Sequence, residues 1–304
     1  MKLKDFLRES TGRSVADLKI DYKGGDFDCY NNELTSLAGA PSRVGGDFYC
    51  SDNELTSLEG APSHVGGHFD CSNNELTSLE GAPSHVSGKF DCSVNKLTSL
   101  EGAPSHIGVG IYCSHNKLTS LEGAPSHVGA HFYCSHNELT SLKGAPRHVG
   151  GHFDCSVNKL MSLADAPSHV GGSFNCSNNE LTSLNGAPSH VGGSFNCSNN
   201  NNLTSLEGAP SHVGGDFSCH NNELTSLKDV YKHITEIKGM FDASDNLIKS
   251  HVLGLLLIKG VTEVKLDNKQ IEEILNRHLG KGRAGMLMAQ EELIEAGLEE
   301  FAQL

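Results

Sequence analysis

Apolar side chains along this 304-residue chain fall at fixed places in a 21-residue unit, G-G-x-F-x-C-S-x-N-x-L-T-S-L-x-G-A-P-S-H-V, seen from Gly45 to Val65. The cysteines mark the period. Cys29, Cys50, Cys71, Cys92, Cys113, Cys134, Cys155, Cys176, Cys197 and Cys219 lie 21 residues apart, with one step of 22 where an extra asparagine enters Asn199, Asn200, Asn201, Asn202. Within F-x-C the apolar positions alternate, the period of a short strand that turns Phe48 and Cys50 inward and Asp47 and Tyr49 outward. One copy buries too little to offset the entropy of ordering its backbone, about 1–2 kcal/mol per residue. Stacked copies join Phe, Cys, Leu and Val into continuous ladders. The pattern therefore predicts a solenoid whose F-x-C strands pair parallel and in register.

An Asn follows most cysteines by three residues: Asn32, Asn53, Asn74, Asn95, Asn116, Asn137, Asn158, Asn179 and Asn222, with Asn201 taken for that place in the copy with the insertion. A buried Asn amide has the donors and the acceptor to satisfy backbone groups where the chain leaves its strand. The return stretch T-S-L-x-G-A-P is too short, and its proline too early, for a helix. It predicts extended or single-turn structure. Residues 1–23, with Phe6, Leu7, Val15, Leu18 and Ile20, predict an N-terminal cap made of a short helix and a first strand. Residues 24–268 hold ten clear copies and then one or two degenerate coils, with Phe241, Ala243, Asn246 and Ile248 at the Phe, Cys, Asn and Leu places and a last strand at Val264 and Leu266. In residues 269–304, Ile271, Ile274, Leu275, Leu287, Leu293, Ile294 and Leu298 recur at helical spacing. Two helices, split near Gly280 and Gly282, are expected to cover a sheet edge that would otherwise aggregate.

The string L-x-x-L-x-G-x-P-x-x-V-x-x-x-F-x-C-x-x-N-x-L resembles the leucine-rich repeat, in the short form of roughly 20–22 residues used by bacterial effector proteins. The wording F-x-C-S-x-N-x-L-T-S-L is also similar to leucine-rich-repeat proteins encoded by bacteriophages. The resemblance runs from Gly24 to about Asn268. It implies a mainly β repeat solenoid, a horseshoe or rod with short parallel strands on one face, little helix on the other and helical terminal caps. It also implies a protein-binding scaffold rather than an enzyme, a function read from fold alone. The phage likeness implies a host protein as partner, met in the cytoplasm of a bacterial cell.

Composition removes several other classes. A net charge of −14 argues against a phosphate-backbone binder. The longest apolar run, Val252 to Ile258, is far short of the roughly 20 residues that span a bilayer. Lys2, Lys4, Asp5 and Arg8 interrupt any secretory segment after Met1, so the expected partners include neither nucleic acid nor membrane, and the expected compartment is the cytoplasm. The ten cysteines share one inward position, poor geometry for bridging, and none has zinc-type C-x-x-C spacing. They read as reduced core residues. Eight histidines form one column, His64, His85, His106, His127, His148, His169, His190 and His212, expected to be a solvated ladder with some acid sensitivity. No cofactor, resident metal or catalytic constellation is expected.

Differences between copies point to a face. Leu, Thr, Ser, Pro and Val columns hardly change, while the outward strand columns do. The candidate protein-binding residues are Tyr49, Asp70, Asp91, Tyr112, Tyr133 and Asp154 after the Phe, His68, Lys89, His131 and His152 before it, and His115 and His136 beyond the Cys. Tyr112 and Tyr133 are the expected anchors. The exposed column Ala38, Glu59, Glu80, Glu101, Glu122, Lys143 stays mainly acidic and serves as the contrast. The rival expectation is a structural role, with copies associating through their ends or the C-terminal helices.

Overall fold

The structure, a computed structural model, describes residues 12–304. The expectation for Phe6 and Leu7 lies outside the described residues. The chain divides into two compact units, one running through Leu139 and taking in Gly144–Pro146, the other formed by Thr140–Lys143 and Arg147–Leu304.

Each unit is a stack of parallel coils, the β-solenoid expected from the repeat. In the first unit, two-residue strands at Phe27–Asp28, Phe48–Tyr49, Phe69–Asp70, Phe90–Asp91, Ile111–Tyr112 and Phe132–Tyr133 pair in parallel, each Phe or Ile opposite its counterpart. In the second, Phe153–Asp154, Phe174–Asn175, Phe195–Asn196, Phe217–Ser218, Met240–Asp242 and Glu263–Lys265 repeat the arrangement. Inward side chains stack in files. Phe48 and Phe69 lie 5.2 Å apart and nearly parallel, as do Phe153 and Phe174 at 5.4 Å. All ten cysteines are free and buried beside them. Several Sγ atoms meet a carbonyl of the next coil, as Cys71 does at Asp91 O, 3.2 Å away. Burial, joined by the Asp28 charge, pushes the Cys29 thiol up to about 12. Deeper thiols such as Cys71 are raised further, first by burial and then by their neighbours. A thiol held protonated is a poor nucleophile and a poor metal ligand.

The Asn file ties coil to coil. Asn53 Nδ2 donates to the carbonyls of Cys29, Cys50 and Ser51 at 3.0–3.1 Å, while its Oδ1 accepts from the N–H groups of Asn32 and Leu34. One place differs from expectation. Asn200 rather than Asn201 fills the file in the longer copy: it is fully buried and donates to Cys176, Cys197 and Ser198 carbonyls, whereas Asn201 is exposed. The turn fixes the distance from Cys197, so the extra residue is absorbed after the Asn.

The return stretch, for which the sequence predicts extended or single-turn structure, also pairs in parallel from coil to coil. Within the extended return stretch, Arg43–Val44, His64–Val65, His85–Val86 and His106–Ile107 pair in the first unit, and His148–Val149, His169–Val170, His190–Val191, His212–Val213 and Glu236–Ile237 in the second. The valines face the core and the histidines face out.

Helix α1 (Val15–Leu18) follows a capping box at Ser14 and Asp17. It buries Val15, but Ile20 is exposed, so the start of the stack is covered differently from the sequence expectation. Tyr22 takes that place, its ring edge-on to Phe27 at 5.6 Å. Helix α2 (Val230–His233) precedes a buried 3-10 turn, Leu253–Leu257. Helix α3 (Lys269–His278) lies against the last strand and replaces ladder bonds with side chains. Asn276 accepts from Val264 N–H and donates to Val264 C=O, and Glu272 accepts from Leu266 N–H. Helix α4 (Gly282–Glu295) is clipped to α3 by Glu292, which accepts from Arg277 and meets His278 at 2.7 Å. It buries Met286, Ala289 and Leu293. Leu287 and Ile294, part of the helical spacing in the sequence, are exposed, since the buried face of α4 runs through Gly285, Met286, Ala289 and Leu293.

Candidate functional site

The outer face of the F-x-C sheets carries three columns, and each has a backbone duty. The residue before Phe offers an acceptor to the N–H of its counterpart one coil on. Asp26 accepts from Asp47 N–H at 2.8 Å, Asp47 from His68 at 2.6 Å, and His68 Nδ1 from Lys89 at 2.8 Å. In the second unit, His152 Nδ1 accepts from Ser173 N–H, Ser173 Oγ from Ser194, Ser194 Oγ from Asp216, and Asp216 from Met240. The variation in this column is therefore variation among acceptors. His68 and His152 belong to this ladder, and in both the proton of the neutral ring sits on Nε2. Lys89 has no acceptor to offer, and Gly110 has no side chain at all. A Cβ at Gly110 would come within 2.5 Å of His131 O.

The residue after Phe closes a turn. Asp70 Oδ1 accepts from Ser72 N–H and hydroxyl at 3.0 and 2.6 Å, and Asp91 does the same for Ser93. Asp154, Asn175, Asn196 and Asp242 each accept from the N–H two residues on. These are Asx turns, which relieve a strand end of an unpaired donor. Tyr49, Tyr112 and Tyr133 have no carbonyl-type oxygen with which to do so.

The residue before the file Asn is left-handed in every coil, with φ between 51° and 57° from Asn31 to Asp245. Asn and Asp tolerate that conformation and occupy it in most coils, whereas a β-branched residue there is an outlier. Val94 and Val157 are such outliers, each at φ 53°. Val94 is 46% exposed, so no burial compensates it.

Within the first unit the departures come together. Lys89, Gly110, Tyr112, His115, Tyr133, His136 and Val94 all lie in three successive coils. Tyr112 and Tyr133 pack on each other at 4.9 Å, and the Lys89 ammonium sits 4.8 Å above the Tyr112 ring while bonding Asp91 at 3.0 Å. His131 stacks near Tyr133 at 5.7 Å, and His115 on His136 at 4.2 Å. Burial alone would lower the Lys89 ammonium, but Asp91, with Asp70 and Tyr112, holds it above its ordinary value. Two corrections follow for the candidate residues. Asp91 is buried, at 8% exposure, because Lys89 and Ser93 close over it, and the Tyr112 and Tyr133 rings are half-buried by their mutual contact. Val94 was not among the candidates. A Val where other copies carry Asn or Asp was the available signal.

At Tyr49 the departure is tied back, since its hydroxyl donates to Asp47 Oδ2 at 2.8 Å. That bond, then burial and the charges of Asp47, Asp26 and Asp70, push the Tyr49 hydroxyl up to about 12. Burial opposes ionisation of Asp47, but the His68 N–H and Tyr49 hydroxyl outweigh it and hold the carboxyl below its usual range.

The histidine column runs along the other sheet. In the first unit His64, His85 and His106 stack at 4.5 and 4.4 Å, and in the second His190 and His212 at 4.5 Å. Burial and the neighbours His106 and His64 lower His85 from the ordinary imidazole value. No group of three or more His, Cys, Asp or Glu suited to a metal ion occurs among the described residues. No helix among them is long and apolar enough to cross a membrane.

No protein-family model matches the chain, and no curated protein matches it in sequence. Among solved structures it is similar to YopM from Yersinia enterocolitica WA-314, at 19% identity and a TM-score of 0.29, over 77% of this chain and 69% of that one. It is also similar to the functional domain of InlJ from Listeria monocytogenes, which includes a cysteine ladder, at 17% identity and a TM-score of 0.31, over 79% and 72%.

Proposed function

We propose that this chain is a non-enzymatic protein-binding scaffold that engages its partner through the outer face of the F-x-C strands, centred on Tyr112 and Tyr133. A leucine-rich-repeat solenoid is compatible with that role. One observation carries the reading: within the same three coils each column gives up its usual side chain, to Lys89 and Gly110, to Tyr112 and Tyr133, and to Val94, although Asp91 still caps its turn and Gly110 answers a close approach to His131 O. Departures from local rules that bring no stability are expected at functional sites. The side chains that abandon them are two tyrosines, a lysine and histidines, with Tyr enriched at interface hot spots. The nucleophile-type residues argue against catalysis, because the cysteines are buried with raised thiols and recur coil after coil. The phage-like repeat wording makes a bacterial host protein, met in the cytoplasm, the partner to seek.

The test begins with a partner captured on the intact chain. The double substitution Y112A/Y133A is expected to weaken its binding by at least about 2 kcal/mol, close to thirtyfold. E101A/E122A, on the exposed acidic column, is expected to leave affinity unchanged. Loss of binding in the second variant with retention in the first would identify the other side of the coils as the binding face.

A second reading has one observation in its favour. Leu287, Met288 and Ile294 of α4 are about half exposed, at 54%, 51% and 49%, which favours association between copies. Sedimentation across a concentration series tests it. A monomer throughout, or self-association that survives L287E/I294E, removes it.

A further inference from the structure

Charge on the outer face of the first unit exceeds what its backbone duties require. In two successive coils of the second unit those duties are done by neutral groups, although Asp154, Asp216 and Asp242 do them in its other coils. Ser173 and Ser194 hydroxyls accept the strand N–H at 3.1 Å, and Asn175 and Asn196 amides close the turns at 3.1 and 3.0 Å. In the first unit carboxylates do the same work: Asp26 and Asp47 in the acceptor column, Asp28, Asp70 and Asp91 in the turn column. Asp70 and Asp91 are direct register partners, and so are the residues flanking Asp26 and Asp47. Like charges directly opposite on adjacent strands are destabilising. One cation stands among them, Lys89, and Asp91 already matches it at 3.0 Å.

We infer that the partner presents a Lys- and Arg-rich segment, whose cationic groups lie on Asp26, Asp28, Asp47 and Asp70 and against the Tyr112–Tyr133 pair. This rests on the binding-face reading above and names the chemistry of the partner. Neutral Ser and Asn would hold the coils equally well, so the surplus charge is complementary to something outside the chain. The Asp28 and Asp70 turns use Oδ1, and that bond survives when a cation approaches the other carboxylate oxygen. The tyrosines suit the same partner. Lys89 Nζ sits 4.8 Å from the Tyr112 centroid, within the distance at which a ring face attracts an ammonium or guanidinium. A planar guanidinium stacks on such rings as well as pairing with carboxylates. The Tyr49 hydroxyl, raised first by its bond to Asp47 and then by burial, is raised further by the charges of Asp47, Asp26 and Asp70. Nucleic acid is repelled by these charges.

The probe is a random dodecapeptide display library selected on the intact chain. Asp28→Asn and Asp70→Asn remove charge yet keep the turn bond, as Asn175 and Asn196 demonstrate. The expected result is a Lys/Arg-rich consensus whose synthetic peptide loses at least tenfold in affinity to D28N/D70N and weakens as salt rises. The same peptide should keep its affinity for E59Q/E80Q, an equal charge change on the exposed acidic column. A neutral or acidic consensus overturns the inference, as does equal affinity for D28N/D70N, or a library that yields no binder. Basic peptides that are sensitive to D28N/D70N but indifferent to Y112A/Y133A would uphold the charge inference and displace the tyrosines as the centre of the face. Peptides of neutral consensus that require both tyrosines would do the reverse.

Discussion

Equivalent columns in the two units solve one backbone problem with different side chains. In the second unit the sets Ser173, Asn175, Asn178 and Ser194, Asn196, Asn199 each supply an acceptor, a turn cap and a residue at ease with positive φ. In the first unit Asp26, Asp28, Asn31 and His68, Asp70, Asn73 do the same, but three successive coils carry Lys89, Asp91, Val94; Gly110, Tyr112, His115; and His131, Tyr133, His136, whereas the second unit departs at Val157. Coil architecture, the Phe and Cys files and the Asn file are alike in both. The coils of Ser173 and Ser194 therefore show what the repeat needs on its outer face, and the three coils from Lys89 to His136 show what has been put there beyond that need. A variable column is not by itself a binding column, since Asp, His and Ser alternate in the second unit while all accept the same N–H.

The largest effect should ignore the difference between the units. Asn95 and Asn179 each donate to three carbonyls and accept from a Leu N–H one coil back. Replacing either with Ala leaves several buried groups unpaired, at about 1–3 kcal/mol each. Urea unfolding should show N95A and N179A losing roughly 3 kcal/mol or more, and by similar amounts. A loss below about 1 kcal/mol in both would mean that the Asn file does not hold the coils together.

How much of this was legible in sequence follows from where each duty is met. The Phe, Cys, Leu and Asn files were readable because the partner of each side chain is its own copy 21 residues on, so periodicity alone predicts the contact. The His–Val sheet was not, because two residues are too few for a period-two signal. The run Asn199, Asn200, Asn201, Asn202 offered several candidates for the file, and only the turn geometry selects Asn200. The candidate face was legible as a set of variable columns. The acceptor role of His68 and the burial of Asp91 were not, since both depend on atoms of the next coil or of a neighbouring side chain rather than on residue type.

A swap at the left-handed position sharpens the comparison. Val94→Asn should stabilise the chain by roughly 0.5–1 kcal/mol, because a β-branched residue is relieved of a strained conformation. Asn178→Val should destabilise it by about as much. Equal and negligible effects at both positions would show that the left-handed conformation is not where the first unit gives up stability.

The smallest effects are electrostatic. His85 is lowered in the fold by burial and by His106 and His64, so the unfolded chain takes up that proton more readily. Its contribution is complete above the ordinary imidazole value of about 6.5 and is lost as the pH falls from there through the lower folded value. Melting temperature measured from about pH 7.5 to about pH 5 should fall less steeply in H85Q than in the unchanged chain. Glu292 is lowered chiefly by its His278 hydrogen bond, with burial opposing and Arg277 assisting. Its stabilisation is present above the ordinary carboxylate range and lost as the pH falls through the lowered value, so E292Q should flatten the acid limb below about pH 5. An H85Q profile that parallels the unchanged chain would place the acid sensitivity outside the histidine column.

The most direct measurement uses one column in both units. A photo-crosslinking phenylalanine analogue is placed at position 112 in one preparation and at position 196 in another, and each is irradiated in bacterial lysate. Both sites follow the strand Phe or Ile, and both side chains face outward. A discrete adduct from position 112, absent from position 196 and lost when Tyr133 is replaced by Ala, is the result predicted here. Adducts of equal yield from both positions, or from position 196 alone, would contradict the claim that the first unit carries the binding face.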